Sequence, residues 1–246
     1  MSQATTHRIS HPTFRNRIYL LARTIKVCGI RQAFHYYFSR LGVLLRERTK
    51  SHNGTTTNDV DRRTLTFTHL NIRSSNAKWG VHYAPSREDV FRQTIRNLPI
   101  GFEDYVFVDL GSGKGEVLLF AAGYGFRKII GVEYSETLAS IASANIRTAT
   151  GLMCQNIECI CADATQFEFS DDPCVLYLYN PFQGKVMDEV LQKVEGSLRV
   201  RPRDLWVIYV NPWEHRKFVR SRRLKTIVTN WDLSGWGFCI YRSINQ

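Results

Sequence analysis

Seven short apolar runs, mostly separated by helix-like segments, constrain the fold of this chain more than any other feature. They are Tyr105–Leu110, Lys128–Glu133, Ile157–Asp163, Cys174–Tyr179, Leu205–Val210, Leu224–Thr229 and Gly237–Tyr241. Continuous apolar runs of this length read as strands buried on both faces. Helical patterns fall at about 116–123, 136–148 and 184–199. Another opens at Pro85-Ser86 and runs to about Leu98, with Ser86 as its expected N-cap and Glu88 and Asp89 in the first turn. Alternation of this kind implies an α/β fold, a parallel sheet with helices on both faces. The segment Asn230-Trp-Asp-Leu-Ser-Gly-Trp236 holds no helix pattern, so the last two runs are expected to pair as an antiparallel hairpin.

The chain's 246 residues are enough for one full core. Its formal charge of +11 is uneven: residues 1–60 hold ten Lys or Arg against two acids, and the remainder 23 against 20. Residues 14–48 pattern as an amphipathic basic helix interrupted near Gly29, and 51–58 have the composition of a linker. Residues 1–58 are thus expected to form a basic helical extension and linker, and 59–246 the domain that carries the chemistry. A basic, acid-poor segment suits nucleic acid, a ribosome-associated protein or an anionic membrane surface. No apolar run reaches the roughly 20 residues of a membrane span, and no signal-peptide pattern opens the sequence, so a cytoplasmic protein is expected, with peripheral membrane association left open. The six cysteines form no Cys-x-x-Cys and have no histidine at zinc-ligand spacing, so no metal is expected and Cys159, Cys161 and Cys174 are read as buried thiols in strands.

The first strand runs into Asp109-Leu-Gly111-Ser112-Gly113-Lys-Gly115. Glycines after a strand let the backbone turn tightly and approach a ligand where a Cβ would collide. The following helix presents unpaired N–H groups to a carboxylate or phosphate. The second strand ends in Glu133, next to Tyr134, where a carboxylate can accept from both hydroxyls of a ribose. Asp163-Ala164 closes the third run; Asp163 either accepts from an adenine amino group or caps residues 164–168. The nicotinamide loop reads Gly-x-Gly-x-x-Gly, whereas this one reads Gly-x-Gly-x-Gly behind an Asp, which suits a ligand with a cationic end.

These residues resemble the class I S-adenosylmethionine-dependent methyltransferases. Asp109–Gly115 is similar to their motif I, Glu133 to their ribose acid and Asp163-Ala164 to their adenine-side motif, over about residues 80–242. The resemblance implies a Rossmann-like sheet of seven strands with S-adenosylmethionine across the C-terminal ends of strands one to four. Asp109, Gly111, Ser112, Gly113, Gly115, Glu133, Tyr134, Asp163, Ala164 and Asn180 then become cofactor-binding candidates. Tyr83 and Ser86 join them, on a segment that folds over the cofactor in related enzymes.

Strand four ends in Tyr179-Asn180-Pro181-Phe182, which resembles motif IV of N-methyltransferases. Asn180 would accept the hydrogens of an attacking amine and orient its lone pair, and Phe182 would stack on a planar group or face the cationic transition state. Asn180, Pro181 and Phe182 are therefore the catalytic candidates. The form that methylates nucleobases has two prolines where this chain has one; a similar shortened form occurs in protein-lysine methyltransferases. Tyr209-Val-Asn211-Pro212-Trp213, at the end of strand five, is a further candidate for lining the acceptor pocket, while His215 in Glu-His-Arg-Lys reads as a surface residue. The expected activity is methylation of a nitrogen on a protein, nucleic acid or small molecule. A cofactor-binding module without chemistry and a nicotinamide-dependent oxidoreductase are the alternatives.

Overall fold

The computed structural model describes residues 86–231 and 237–244. The residues expected to form the N-terminal extension and linker, Tyr83, and residues 232–236 lie outside the described residues. Seven strands form one sheet: β1 (Val106–Leu110), β2 (Lys128–Glu133), β3 (Ile157–Cys161), β4 (Cys174–Tyr179), β5 (Leu205–Val210), β6 (Leu224–Trp231) and β7 (Gly237–Ser243). Their spatial order is β3-β2-β1-β4-β5-β7-β6. Neighbours pair in parallel from β3 to β5, whereas β7 runs antiparallel to both β5 and β6. Six strands thus share one direction and β7 opposes them. β1 and β5 are buried along their whole length, the burial their unbroken Val, Ile, Phe, Tyr and Trp content anticipates.

The helices are α1 (Glu88–Ile95), α2 (Glu116–Ala122), α3 (Glu136–Thr148), α4 (Lys185–Val200) and α5 (His215–Val219). One face of the sheet packs Phe107, Tyr177, Trp206 and Ile208 against α1 and α2. The opposite face packs Val108, Leu176 and Val207 against Val186, Val190 and Val194 of α4 and Phe218 of α5. The chain winds outward from β1 through β2 to β3, then crosses back to β4 on the other side of β1. Ligands of open α/β sheets bind where the strand order reverses in this way, outside the carboxyl ends of the strands.

At the opposite, amino ends of β1 and β5 a polar cluster ties three strands together. Asp204 accepts from Tyr105 Oη at 2.5 Å, Trp206 Nε1 at 3.0 Å and Arg242 Nε at 2.6 Å. Burial pushes the Asp204 carboxyl up, but the hydrogen bonds from Arg242, Tyr105 and Trp206 outweigh it and leave it below its ordinary value.

Several local expectations are corrected. Ser86 does not cap α1; the N-cap is Arg87, without a side-chain hydrogen bond. The third strand stops at Cys161, so Ala162 and Asp163 leave the sheet at the cleft. Cys161 is exposed and Cys159 half-buried, because β3 is the edge strand of the described sheet, whereas Cys174 is buried as expected. His215 is half-buried: it belongs to the unanticipated helix α5, and its Nδ1 lies 2.6 Å from Tyr241 Oη.

Candidate active site

The carboxyl ends of β1, β2 and β4 meet at a cleft lined by Gly111, Val132, Tyr134, Ala162, Asp163, Ala164, Pro181, Phe182 and Val186. The glycine loop forms one wall. Gly111, Gly113 and Gly115 all have positive φ, at 86°, 55° and 80°. At Gly111 the requirement is also steric, since a Cβ there would stand 2.4 Å from Pro181 Cβ. The loop after β1 and the turn after β4 therefore touch only because position 111 lacks a side chain.

Glu133 braces this loop. Its Oε2 accepts the Gly113 N–H and its Oε1 the Ser135 N–H, both at 2.9 Å. Asp109 and Glu133 are only 2% and 3% exposed. Burial pushes the Asp109 carboxyl well up, and the charge of Glu133 adds to the rise. Burial likewise raises Glu133, against the opposing hydrogen bonds from the Ser135, Gly113 and Tyr134 backbone. Both carboxyls lie buried behind the cleft lining, where burial disfavours their charge and a cationic ligand nearby would favour it. Burial also raises the Tyr134 phenol to about 12.

Asp163 takes the capping role that is one of its two readings. Its Oδ1 accepts from Thr165 N at 2.9 Å and Thr165 Oγ1 at 2.8 Å, capping the 3-10 turn Ala164–Gln166, and the residue still lines the cleft. Ser112 lies beneath the loop, with its hydroxyl 3.5 Å from Cys159 Sγ and no place in the cleft lining. The Ser86 N–H donates to Glu116 Oε2 at 2.8 Å, which brings the start of α1 to the helix that follows the glycine loop.

The turn after β4 holds the site's most informative group. Asn180 has φ +42°, a left-handed conformation that Asn tolerates better than most residues. Its side chain is 5% exposed, and its Oδ1 is buried without a hydrogen-bond partner. Buried polar atoms are paired in the great majority of cases, so an orphan acceptor beside a cleft asks for a ligand's donor. Phe182 is 6% exposed; it packs into the core against α4 and also lines the cleft.

Four contributors were not anticipated from the sequence. Asn145 of α3 donates to the carbonyl of Lys114, whose side chain is wholly buried within the loop. Beyond Phe182, the Gly184 N–H donates to Glu214 Oε1 at 3.0 Å and the Gly184 carbonyl accepts from Lys217 Nζ at 2.8 Å. These two side chains follow β5, so the Asn180 turn is held from the next strand's loop. Asn211 repeats the left-handed geometry there, at φ +52°.

Residues 107–200 match the family described as methyltransferase domain. The seven-strand order and the glycine loop are those expected of the class I S-adenosylmethionine-dependent methyltransferases. By that match the chain carries a methyltransferase domain at residues 107–200. Among solved structures it is similar to a proposed methyltransferase, yhhF, from Escherichia coli, at 13% identity over 67% of this chain and 90% of that one, TM-score 0.54. It is also similar to an RNA methyltransferase from Salinibacter ruber in complex with S-adenosyl-L-homocysteine, at 21% identity over 66% of this chain and 95% of that one, TM-score 0.47. The magnesium protoporphyrin IX methyltransferase of Synechocystis matches at 14% identity over 64% of this chain and 77% of that one, TM-score 0.44. The first likeness is one of fold.

S-adenosylmethionine is the methyl donor of class I methyltransferases, and the residues present fit it. The cleft sits at the reversal of strand order, the loop leaves no Cβ at Gly111, and Asp109 opens the loop while Glu133 braces it, both with buried carboxyls. Among the described residues, no group of three His, Cys, Asp or Glu side chains is placed to hold a metal ion. No described helix is long and apolar enough to cross a membrane.

Proposed function

We propose that the domain methylates a nitrogen, of an amine or an amide, held at Asn180. The observation that carries this reading is the buried, unpartnered Asn180 Oδ1, on the residue just before Pro181 and Phe182 of the cleft lining. An acceptor oxygen with nothing to accept is matched by an N–H of a substrate nitrogen. That hydrogen bond fixes the nitrogen and turns its lone pair toward the methyl group, an orientation effect of the kind that supplies much of the advantage of a bound reaction. The donor, when bound, supplies a methyl carbon activated by its positively charged sulfur; the new N–C bond forms as the C–S bond breaks, and the sulfur keeps the electron pair. The rest of the work falls to the protein. Asp109 offers charge to the donor's cationic end, Glu133 retains lone pairs for ribose hydroxyls, and Asp163, Ala164 and Tyr134 line the adenine side. Ser86, and Tyr83 before it, would close over the methionine end.

The test combines tritiated S-adenosylmethionine, fractionated lysate and Asn180→Ala. The wild type is expected to label one class of acceptor with the methyl group on nitrogen. Asn180→Ala should lower the transfer rate far more than cofactor affinity. Equal losses in both would make Asn180 a cofactor contact only, and a product methylated on oxygen, sulfur or carbon would overturn the nitrogen assignment.

A further inference from the structure

The region from residue 86 to the C-terminus holds 19 Lys or Arg and 19 Asp or Glu, and looks neutral as a whole. The neutrality hides a segregation. Residues 214–225, Glu-His-Arg-Lys-Phe-Val-Arg-Ser-Arg-Arg-Leu-Lys, hold six of the basic residues and one acid. The other residues of this region hold 13 basic side chains against 18 acidic ones. Arg216, Arg220, Arg222 and Lys225 are exposed and Arg223 half-buried. The acids nearby are engaged elsewhere: Asp188 and Glu214 pair with Lys217, and Glu195 accepts from the Ser221 hydroxyl. Among the described residues, none of the other five cations has an ion-pair partner. The stretch also begins at the active site, because Glu214 and Lys217 hold Gly184, which ends the Asn180 turn.

We propose that Arg216, Arg220, Arg222, Arg223 and Lys225 form a phosphate-binding stripe that carries a single-stranded nucleic acid to the Asn180 turn. Five cations without acidic partners, on a domain that is otherwise acidic, complement a polyanion. Four of the five are Arg, whose planar fork matches phosphate oxygens two at a time. The single-stranded form follows from the cleft: a nitrogen must leave any base stack to reach Asn180, and a single strand presents it without unpairing. This inference rests on Asn180 as the acceptor site for its consequence in methylation, but the stripe's binding stands apart from it.

The test is fluorescence anisotropy of a labelled, mixed-sequence single-stranded RNA against the full chain at several salt concentrations. Arg216→Gln/Arg220→Gln/Arg222→Gln/Arg223→Gln is compared with the wild type, with a control carrying Arg15→Gln/Arg17→Gln/Arg23→Gln/Lys26→Gln, and with Asn180→Ala. The stripe variant is expected to bind RNA about tenfold more weakly or worse, with a salt slope shallower by about 0.7 for each phosphate it no longer neutralises. Its S-adenosylmethionine affinity and melting midpoint should hold, and the exposed double variant Arg216→Gln/Arg220→Gln should show a smaller effect of the same kind. Asn180→Ala should bind RNA normally, so failure of the acceptor reading and failure of the stripe give different results. Unchanged RNA affinity in the stripe variant, all binding abolished in the N-terminal control alone, or weakened binding to phosphatidylserine vesicles but not to RNA would each overturn the proposal.

Discussion

Replacing Gly111 with alanine tests how the cofactor loop and the acceptor turn are joined. The new Cβ would lie 2.4 Å from Pro181 Cβ at a backbone φ of +86°. Carbon atoms settle about 3.5–4 Å apart, so one wall must retreat by about 1 Å. Forced overpacking costs about 1–3 kcal/mol, and a left-handed backbone at a residue other than glycine about 1–2 kcal/mol. The expected destabilisation is therefore about 2–5 kcal/mol, a fall in melting midpoint of roughly 5–20 °C for a domain of this size. Urea and thermal unfolding of the single variants and the double variant separate the two costs. Pro181→Gly removes the atom that collides, so Gly111→Ala in that background should cost only the backbone strain, leaving a coupling of about 1–3 kcal/mol between the sites. A Gly111→Ala cost that is the same with and without Pro181 would refute the steric argument, and a cost under about 0.5 kcal/mol would refute both parts.

Further expectations concern the buried acids and the far end of the strands. Asp109 and Glu133 are raised above their ordinary values of 3.8 and 4.5, so the folded domain holds protons that the unfolded chain releases. Their contribution to stability is thus present at low pH and declines as pH rises from those values toward the raised ones. A cationic cofactor favours the ionised pair, so S-adenosylmethionine affinity should climb over the same window and then level off; calorimetry across pH that shows affinity falling there would contradict this. Glu133→Gln places an amide donor against the Gly113 or Ser135 N–H, and should cost about 1–3 kcal/mol in both stability and cofactor affinity, read by urea unfolding and calorimetry. Asp204→Ala should lower stability by a similar amount, about 1–3 kcal/mol, because three donors are left without their acceptor, while leaving cofactor affinity unchanged because it lies at the opposite end of the strands from the cleft.

The strands were legible because a parallel sheet covered on both faces needs unbroken apolar runs, and β1, β4 and β5 supply them. The glycine loop, Glu133 and the Asn180 turn were legible because chemistry and backbone conformation demand particular residue types at particular places. What escaped depends on contacts between distant residues. Ser86 looks like a helix cap until its N–H meets Glu116, 30 residues away. Helix α5 buries only Phe218, too short a period to stand out in Glu-His-Arg-Lys-Phe-Val. The hold of Glu214 and Lys217 on Gly184 joins two loops that neighbour each other only because β5 lies beside β4. The basic stripe was hidden by an overall balance that averages over the acids facing elsewhere.

Isothermal calorimetry of the full chain with S-adenosylmethionine, S-adenosylhomocysteine and NADH tests the central claim most directly. One equivalent of S-adenosylmethionine or its demethylated product should bind, with affinity reduced in Glu133→Gln, and NADH should not bind. Binding of NADH with no heat from either methionine derivative would contradict the account.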